Sequence, residues 1–239
     1  MSISNQTQTK LKYFEDTYLF QSKAVLADII KDESFPDKQV LILDETIFYP
    51  QGGGQPSDTG FIFNNDKTAI FEVEKTLFNP DGLVWHIGNF TQGKIQIGDE
   101  IILEIDEQKR RLNSKNHTAG HLIDWAIESL NLDLKANKGF HFPQGAYVEY
   151  QGEIDDKEEL IKKIEKKANK IISENPKIEF VFENSQHESG KPMRIMKVEG
   201  YQNCPCGGTH VKEVSEIGKI KIRKIQAKKG LVKISYQVE

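Results

Sequence analysis

Residues 107–132, EQKRRLNSKNHTAGHLIDWAIESLNL, are the place where the chain changes its hydrophobic period. His117, His121 and the run from Ile123 to Leu130 fall on one amphipathic stripe, which predicts a helix. Upstream the pattern is different. From Lys12 to Phe90, short runs rich in β-branched and aromatic residues (TYLFQSKAVLADII, QVLILDETIFYP, FIFN, AIFEVEKTLF, GLVWHIG) are cut by the turn-forming FPDK, QGGGQPSDTG, NNDK and NPDG. Short strands at that spacing predict a small β-barrel or sandwich. Downstream, ANKGFHFPQGAYVEYQGEID predicts a hairpin turning near Pro143–Gly145, and DDKEELIKKIEKKANKIISENP predicts a second helix. In that helix Asp155 or Asp156 caps the start, Leu160, Ile161, Ile164, Ala168, Ile171 and Ile172 form the buried stripe, and Pro176 ends it. IEFVFEN, MRIMKVEGY, GKIKIRKIQAKKG and LVKISYQV read as strands. The fold class expected is therefore α+β in two domains, residues 1–92 and 93–239, with KIQIGDEIILEID placed at the start of the second.

Composition narrows the partners. The 239 residues are 37% hydrophobic and 28% charged, enough apolar side chain for a packed core, and the net charge of -4 gives no global attraction for a polyanion. Nucleic-acid contact would need a local basic face. No apolar run is long enough to span a bilayer, and MSISNQTQTK lacks the apolar centre of a signal peptide, so a cytoplasmic chain is expected. Cys204 and Cys206 flank Pro205; a disulfide there would close a small strained ring, and reduced thiols are expected.

Two short patterns carry the chemistry. His117 and His121, four apart on a helix, put both imidazoles on one face a turn apart. Cys206 and His210 flank Gly207 and Gly208, which let the backbone curl so that both ends face one point. Together the pairs offer one thiolate and three imidazoles, a set suited to Zn²⁺. Such a site either pins helix to loop or works as a catalytic or substrate-holding centre. The imidazole-rich set favours the second, because it leaves a more Lewis-acidic ion.

HTAGHL at 117–122, CGGTH at 206–210, GGGQPSDTG at 52–60 and KGFHFPQGAYVEY at 138–150 resemble the editing region of alanyl-tRNA synthetases, and most closely the free-standing AlaX editing proteins of medium length. The resemblance implies an N-terminal β-barrel followed by a two-layer editing domain of the kind found in alanyl- and threonyl-tRNA synthetases. It implies one Zn²⁺ per chain on His117, His121, Cys206 and His210, which also form the catalytic centre. The implied activity is ATP-independent hydrolysis of the ester in tRNA(Ala) mischarged with serine or glycine. A tRNA-binding module with a purely structural zinc is the alternative, and a hydrolase of small esters a third reading. By resemblance the Gly-rich loop, through Gly53, Gly54, Gln55 and Asp58, lies near the aminoacyl end. It has no GK[ST], so it is not a phosphate-binding P-loop. Thr118, Gln55 and Gln144 are candidates to sense a serine hydroxyl, and His141 to orient substrate. Gly120 stands where many synthetase copies have Thr, which removes a hydroxyl. Arg110 and Arg111 are candidate phosphate contacts, as are Lys221, Arg223, Lys224, Lys228 and Lys229 in a basic stripe that also includes Lys219 and Lys233. His86 and His187 are expected to be ordinary hydrogen-bonded or exposed histidines.

Overall fold

A computed structural model describes residues 8–186 and 190–239 and divides the chain into two compact units. The first holds the chain through Gly52, Pro56–Arg110, Gln186 and Gly190–Lys191; the second holds Gly53–Gln55, Arg111–Ser185 and Pro192–Glu239. His187 lies outside the described residues.

The first unit is a closed antiparallel barrel of β1 (Gln21–Ile30), β2 (Gln39–Leu43), β3 (Gly60–Asn64), β4 (Ile70–Phe78), β5 (Val84–Gln92) and β6 (Glu100–Ile105), in the order β1-β2-β5-β4-β3-β6. Period-2 alternation turns Ile101, Leu103 and Ile105 of β6 inward, where Leu26, Leu41, Leu43, Ile62 and Phe71 complete the filling. Residues 93–105 thus contribute one strand, and it belongs to the barrel. The first unit runs to Arg110 instead of stopping at 92, because without β6 neither β1 nor β3 would have a partner on that side, leaving the barrel with two open edges.

The second unit is α+β. Helix α1 (Glu107–Ser129), whose first turn is counted with the barrel, has its Lys109 N–H capped by Asp106 Oδ1 at 3.0 Å. The hairpin β7 (Leu134–Phe140) and β8 (Tyr147–Gly152) follows, closed by Gly145 N–H to Phe142 O at 3.0 Å. Helix α2 (Lys157–Glu174) starts at Asp156, whose carboxylate accepts from Glu158 and Glu159 N–H, and ends on Asn175 in the left-handed region. Next come β9 (Ile178–Gln186), β10 (Pro192–Val198) and the two-residue β11 (Cys204–Pro205), then the hairpin β12 (Ile220–Lys228) and β13 (Leu231–Val238), which turns at Lys229 and Gly230 with positive φ at both. The sheets are β12-β13-β8-β7 and β9-β10-β11. Leu160, Ile164, Ala168 and Ile171 of α2 and Leu122, Ile123 and Ala126 of α1 share one core with Val148, Ile222, Ile225 and Ile234 of the larger sheet. The expected barrel followed by an α+β region is what the chain builds.

Candidate metal centre

Helix α1 presents His117 and His121 with ring centroids 5.3 Å apart, and the loop after β11 brings Cys206 and His210 to them. One donor atom from each of the four lies within 4.8 Å of every other. Cys206 Sγ is 3.1 Å from His210 Nε2 and 3.4 Å from His117 Nε2. Donors of a tetrahedral zinc shell sit roughly 3.5 Å from one another, so the spacing suits such an ion.

Hydrogen bonds at the far side of the His117 and His210 rings set their tautomers. Gln55 Oε1 accepts Thr209 N–H at 3.0 Å while its Nε2 donates to Thr209 Oγ1 at 2.8 Å, so the atom 2.7 Å from His117 Nδ1 is an acceptor and that nitrogen carries the proton. Thr118 donates to Ser114 O at 2.8 Å, leaving its lone pairs for His210 Nδ1–H at 3.2 Å and Val211 N–H at 3.3 Å. His121 Nδ1 faces Cys204 Sγ at 3.6 Å and Asp124 Oδ2 at 3.9 Å, and its buried Nε2 has no hydrogen-bond partner. The bare Nε2 atoms of His117 and His210 and the unpartnered Nε2 of His121 therefore converge beside a thiol that has one proton to give. A buried set so rich in lone pairs is stable when a cation takes them.

Burial keeps these rings uncharged: it holds His117 and His210 well below the ordinary histidine range, with nearby cationic groups adding to it, and brings His121 down to about 4. Burial raises the Cys206 thiol, and the Arg194 guanidinium opposes that. Arg194, on β10 and 2% exposed, donates to Gly208 O and, at 3.0 Å, to Cys206 O, while Cys206 N–H returns a bond to Arg194 O at 2.9 Å. It clamps the ligand loop. The signal for it in the sequence is a charged residue at an inward strand position, in phase with Met196 and Val198.

Two glycines make the close approach possible. A Cβ on Gly208 would lie 2.1 Å from His117 Cε1, and one on Gly120 would lie 2.4 Å from His141 Cε1. Gly120 thus makes room for His141, which stacks on His117 at 4.5 Å and is held by Tyr236 OH at 2.7 Å. Burial brings His141 down to about 3. Its neighbour Gly54 accepts His141 N–H at 2.8 Å, Gly53 is exposed, and Gln144 sits exposed in the turn before β8. On the other side of His121 a cavity of about 710 Å³ opens, lined by Asp124, Trp125, Glu128, Tyr150 and Cys204 among others. Burial pushes Asp124 up to about 7, against a hydrogen bond from the Tyr150 hydroxyl.

Several expected contacts take other roles. Gln55 is fully buried and Thr118 likewise, and their polar atoms bond the His117 and His210 rings and the Thr209 and Ser114 groups behind them, so they orient imidazoles. Asp58 is buried against Arg110, whose guanidinium also donates to Thr17 O and Ile47 O at 2.6 Å; neither reaches solvent, and they lock the barrel unit internally. Arg111 lies 4.0 Å from Glu216. Arg223 donates to Tyr236 O at 3.1 Å and Ala146 O at 3.3 Å, while Lys221, Lys224, Lys228 and Lys229 are exposed on the edge strand β12 and its turn.

Comparison with known proteins gives two family matches: tRNA synthetases class II (A) over residues 3–109, and the threonyl and alanyl tRNA synthetase second additional domain over residues 193–234. Among curated proteins the chain is 32% identical to the alanyl-tRNA editing protein AlaX-L of Pyrococcus horikoshii over 94% of its own length and 56% of that protein. It is 31% identical to AlaX-M of the same organism, covering 89% of each. It is 33% identical to an alanine–tRNA ligase of Thermoanaerobacter sp., over 94% of this chain and 28% of the ligase. The chain thus spans about half of AlaX-L and nearly all of AlaX-M. Among the described residues no helix is long and apolar enough to cross a membrane.

Proposed function

The chain belongs to the AlaX family of alanyl-tRNA editing proteins, and from that premise we propose that it hydrolyses the ester of tRNA(Ala) mischarged with serine, and to a lesser degree with glycine, at a zinc centre held by His117, His121, Cys206 and His210. The observation that carries this reading is the convergence of three imidazoles and a thiol beside an open cavity. When bound, zinc would supply a Lewis acid to polarise the ester carbonyl. The residues do the rest. Gln55 and Thr118 hold His117 and His210 with Nε2 bare; Arg194 fixes the loop that carries Cys206 and His210; His141 orients the aminoacyl end through its bare Nε2. Exposed lysines of β12 meet tRNA phosphates in a cytoplasmic setting.

Selection against alanine follows from the hydroxyl. A synthetase pocket cannot strongly exclude serine, whereas an editing pocket that hydrogen-bonds the hydroxyl leaves a polar group unpaired when alanine enters. Purified protein should release serine from Ser-tRNA(Ala), glycine more slowly, and leave Ala-tRNA(Ala) intact. The structural-zinc alternative draws on the four donors, which already complete a tetrahedral shell. Under it the protein binds all three charged tRNAs and hydrolyses none.

A further inference from the structure

The outer face of the four-stranded sheet carries a feature that the deacylase reading does not use. Antiparallel partners share a face, so the register Phe140–Tyr147–Ser235–Lys224 forms one row across all four strands, and Lys138–Glu149–Lys233–Gln226 the next. The row Gly139–Val148–Ile234–Ile225 points the other way, with its three larger residues in the core. On the outer face the aromatic rings are half-buried and nearly parallel. Phe142 stacks on Phe140 with centroids 4.4 Å apart and planes 10° apart, Phe140 on Tyr147 at 5.2 Å and 19°, and Lys233 Nζ lies 3.5 Å over the Tyr147 ring. The barrel unit has edge-to-face pairs, Tyr13–Tyr49 at 77° and Phe71–Phe90 at 72°, and a looser stacked pair, Tyr18–Phe20, at 5.7 Å and 26°. Between the two stacked phenylalanines the chain turns His141 inward onto His117.

We propose that Phe142, Phe140 and Tyr147 form a stacking platform for unpaired RNA bases, with Lys233, Lys224 and Lys138 neutralising the phosphates of the same strand. The proposal rests on the reading that tRNA carries the substrate; the occupant is then its single-stranded acceptor end. The chemistry fits on two counts. A half-buried ladder of parallel rings offers aromatic surface on which a base of any identity can continue the stack, and a lysine-bearing sheet face beside aromatics suits an unpaired strand. Position fits as well, since Phe140 and Phe142 directly flank the histidine stacked on a proposed metal ligand.

The test uses the full-length protein and uncharged RNA hairpins, one with an unpaired 3′ extension and one blunt, in fluorescence anisotropy at fixed salt. Wild type should bind the extended hairpin about 10-fold or more tighter than the blunt one, the size expected for one or two stacked bases. Phe142→Leu and Phe142→Met keep apolar bulk at a half-buried position and should abolish that preference without changing blunt-hairpin affinity; Phe142→Trp should retain it. Lys233→Gln should weaken binding of the extended hairpin and reduce its salt dependence. A wild-type protein with no preference, or a preference that survives in both the Leu and Met variants, overturns the platform. So does self-association through this face that blocks RNA. Serine release by wild type alongside Phe142-independent binding removes the platform and leaves the deacylase standing. Phe142-dependent preference without any ester hydrolysis does the reverse.

Discussion

The two units bury ionisable side chains in opposite ways. In the barrel unit Arg110 spends its donors on Asp58, Thr17 O and Ile47 O, and His86 gives Nδ1–H to Leu41 O at 3.1 Å while its Nε2 takes the Thr46 hydroxyl at 2.8 Å. In the second unit the histidines are satisfied only on their outer nitrogens, and the inner ones face each other and a thiol. A buried ionisable group with every partner present serves the fold; a group of them short of protons is a seat for something absent. The contrast separates two sets of residues that look equally functional in the sequence.

The largest effect should come from the seat itself. Cys206→Ala is expected to remove serine release altogether in a charged-tRNA assay while the barrel still unfolds cooperatively. Next is the lock. Asp58→Ala strands a fully buried guanidinium and should cost about 3 to 5 kcal/mol in urea denaturation, with metal content unchanged. If Asp58→Ala instead lost activity at full stability, the two units would have to exchange roles. The third effect is on pH. Burial brings His86 down to about 4 from 6.5, so the unfolded chain binds a proton that the folded barrel refuses. Its contribution is intact above pH 6.5 and lost as pH falls toward 4, roughly 3 kcal/mol in all, and His86→Gln should flatten that part of the stability profile. The smallest is Gln55→Ala, which frees the His117 tautomer. It should lower zinc affinity or activity about 10- to 100-fold, seen in chelator competition, with little change in the barrel.

Much of this was legible from residue patterns. Turn punctuation announced a small β-barrel or sandwich, and the i, i+4 and CxxxH spacings announced the four clustered donors, because local backbone geometry determines where those side chains point. Residues 93–105 read as the start of the second domain, whereas the strand they form pairs with β1 and β3, since a strand's sequence does not say which sheet will adopt it. Asp58, Gln55 and Thr118 read as substrate contacts, and Arg110 as a phosphate contact, because polar residues beside a motif look alike whether they face solvent or each other. Only burial and register distinguish them. Phe140, Phe142 and Tyr147 lay inside a recognised motif, yet their stacking depends on the Tyr147–Phe140 pairing across the hairpin, which composition does not reveal.

The central claim is that three imidazoles and one thiol are held together for a metal. Native mass spectrometry of protein prepared with zinc, alone and as the Cys206→Ala variant, tests it most directly. One zinc per wild-type chain, lost when that sulfur is removed, is the expected result. A wild-type chain that stays metal-free in zinc, and melts at the same temperature with or without it, would contradict the account.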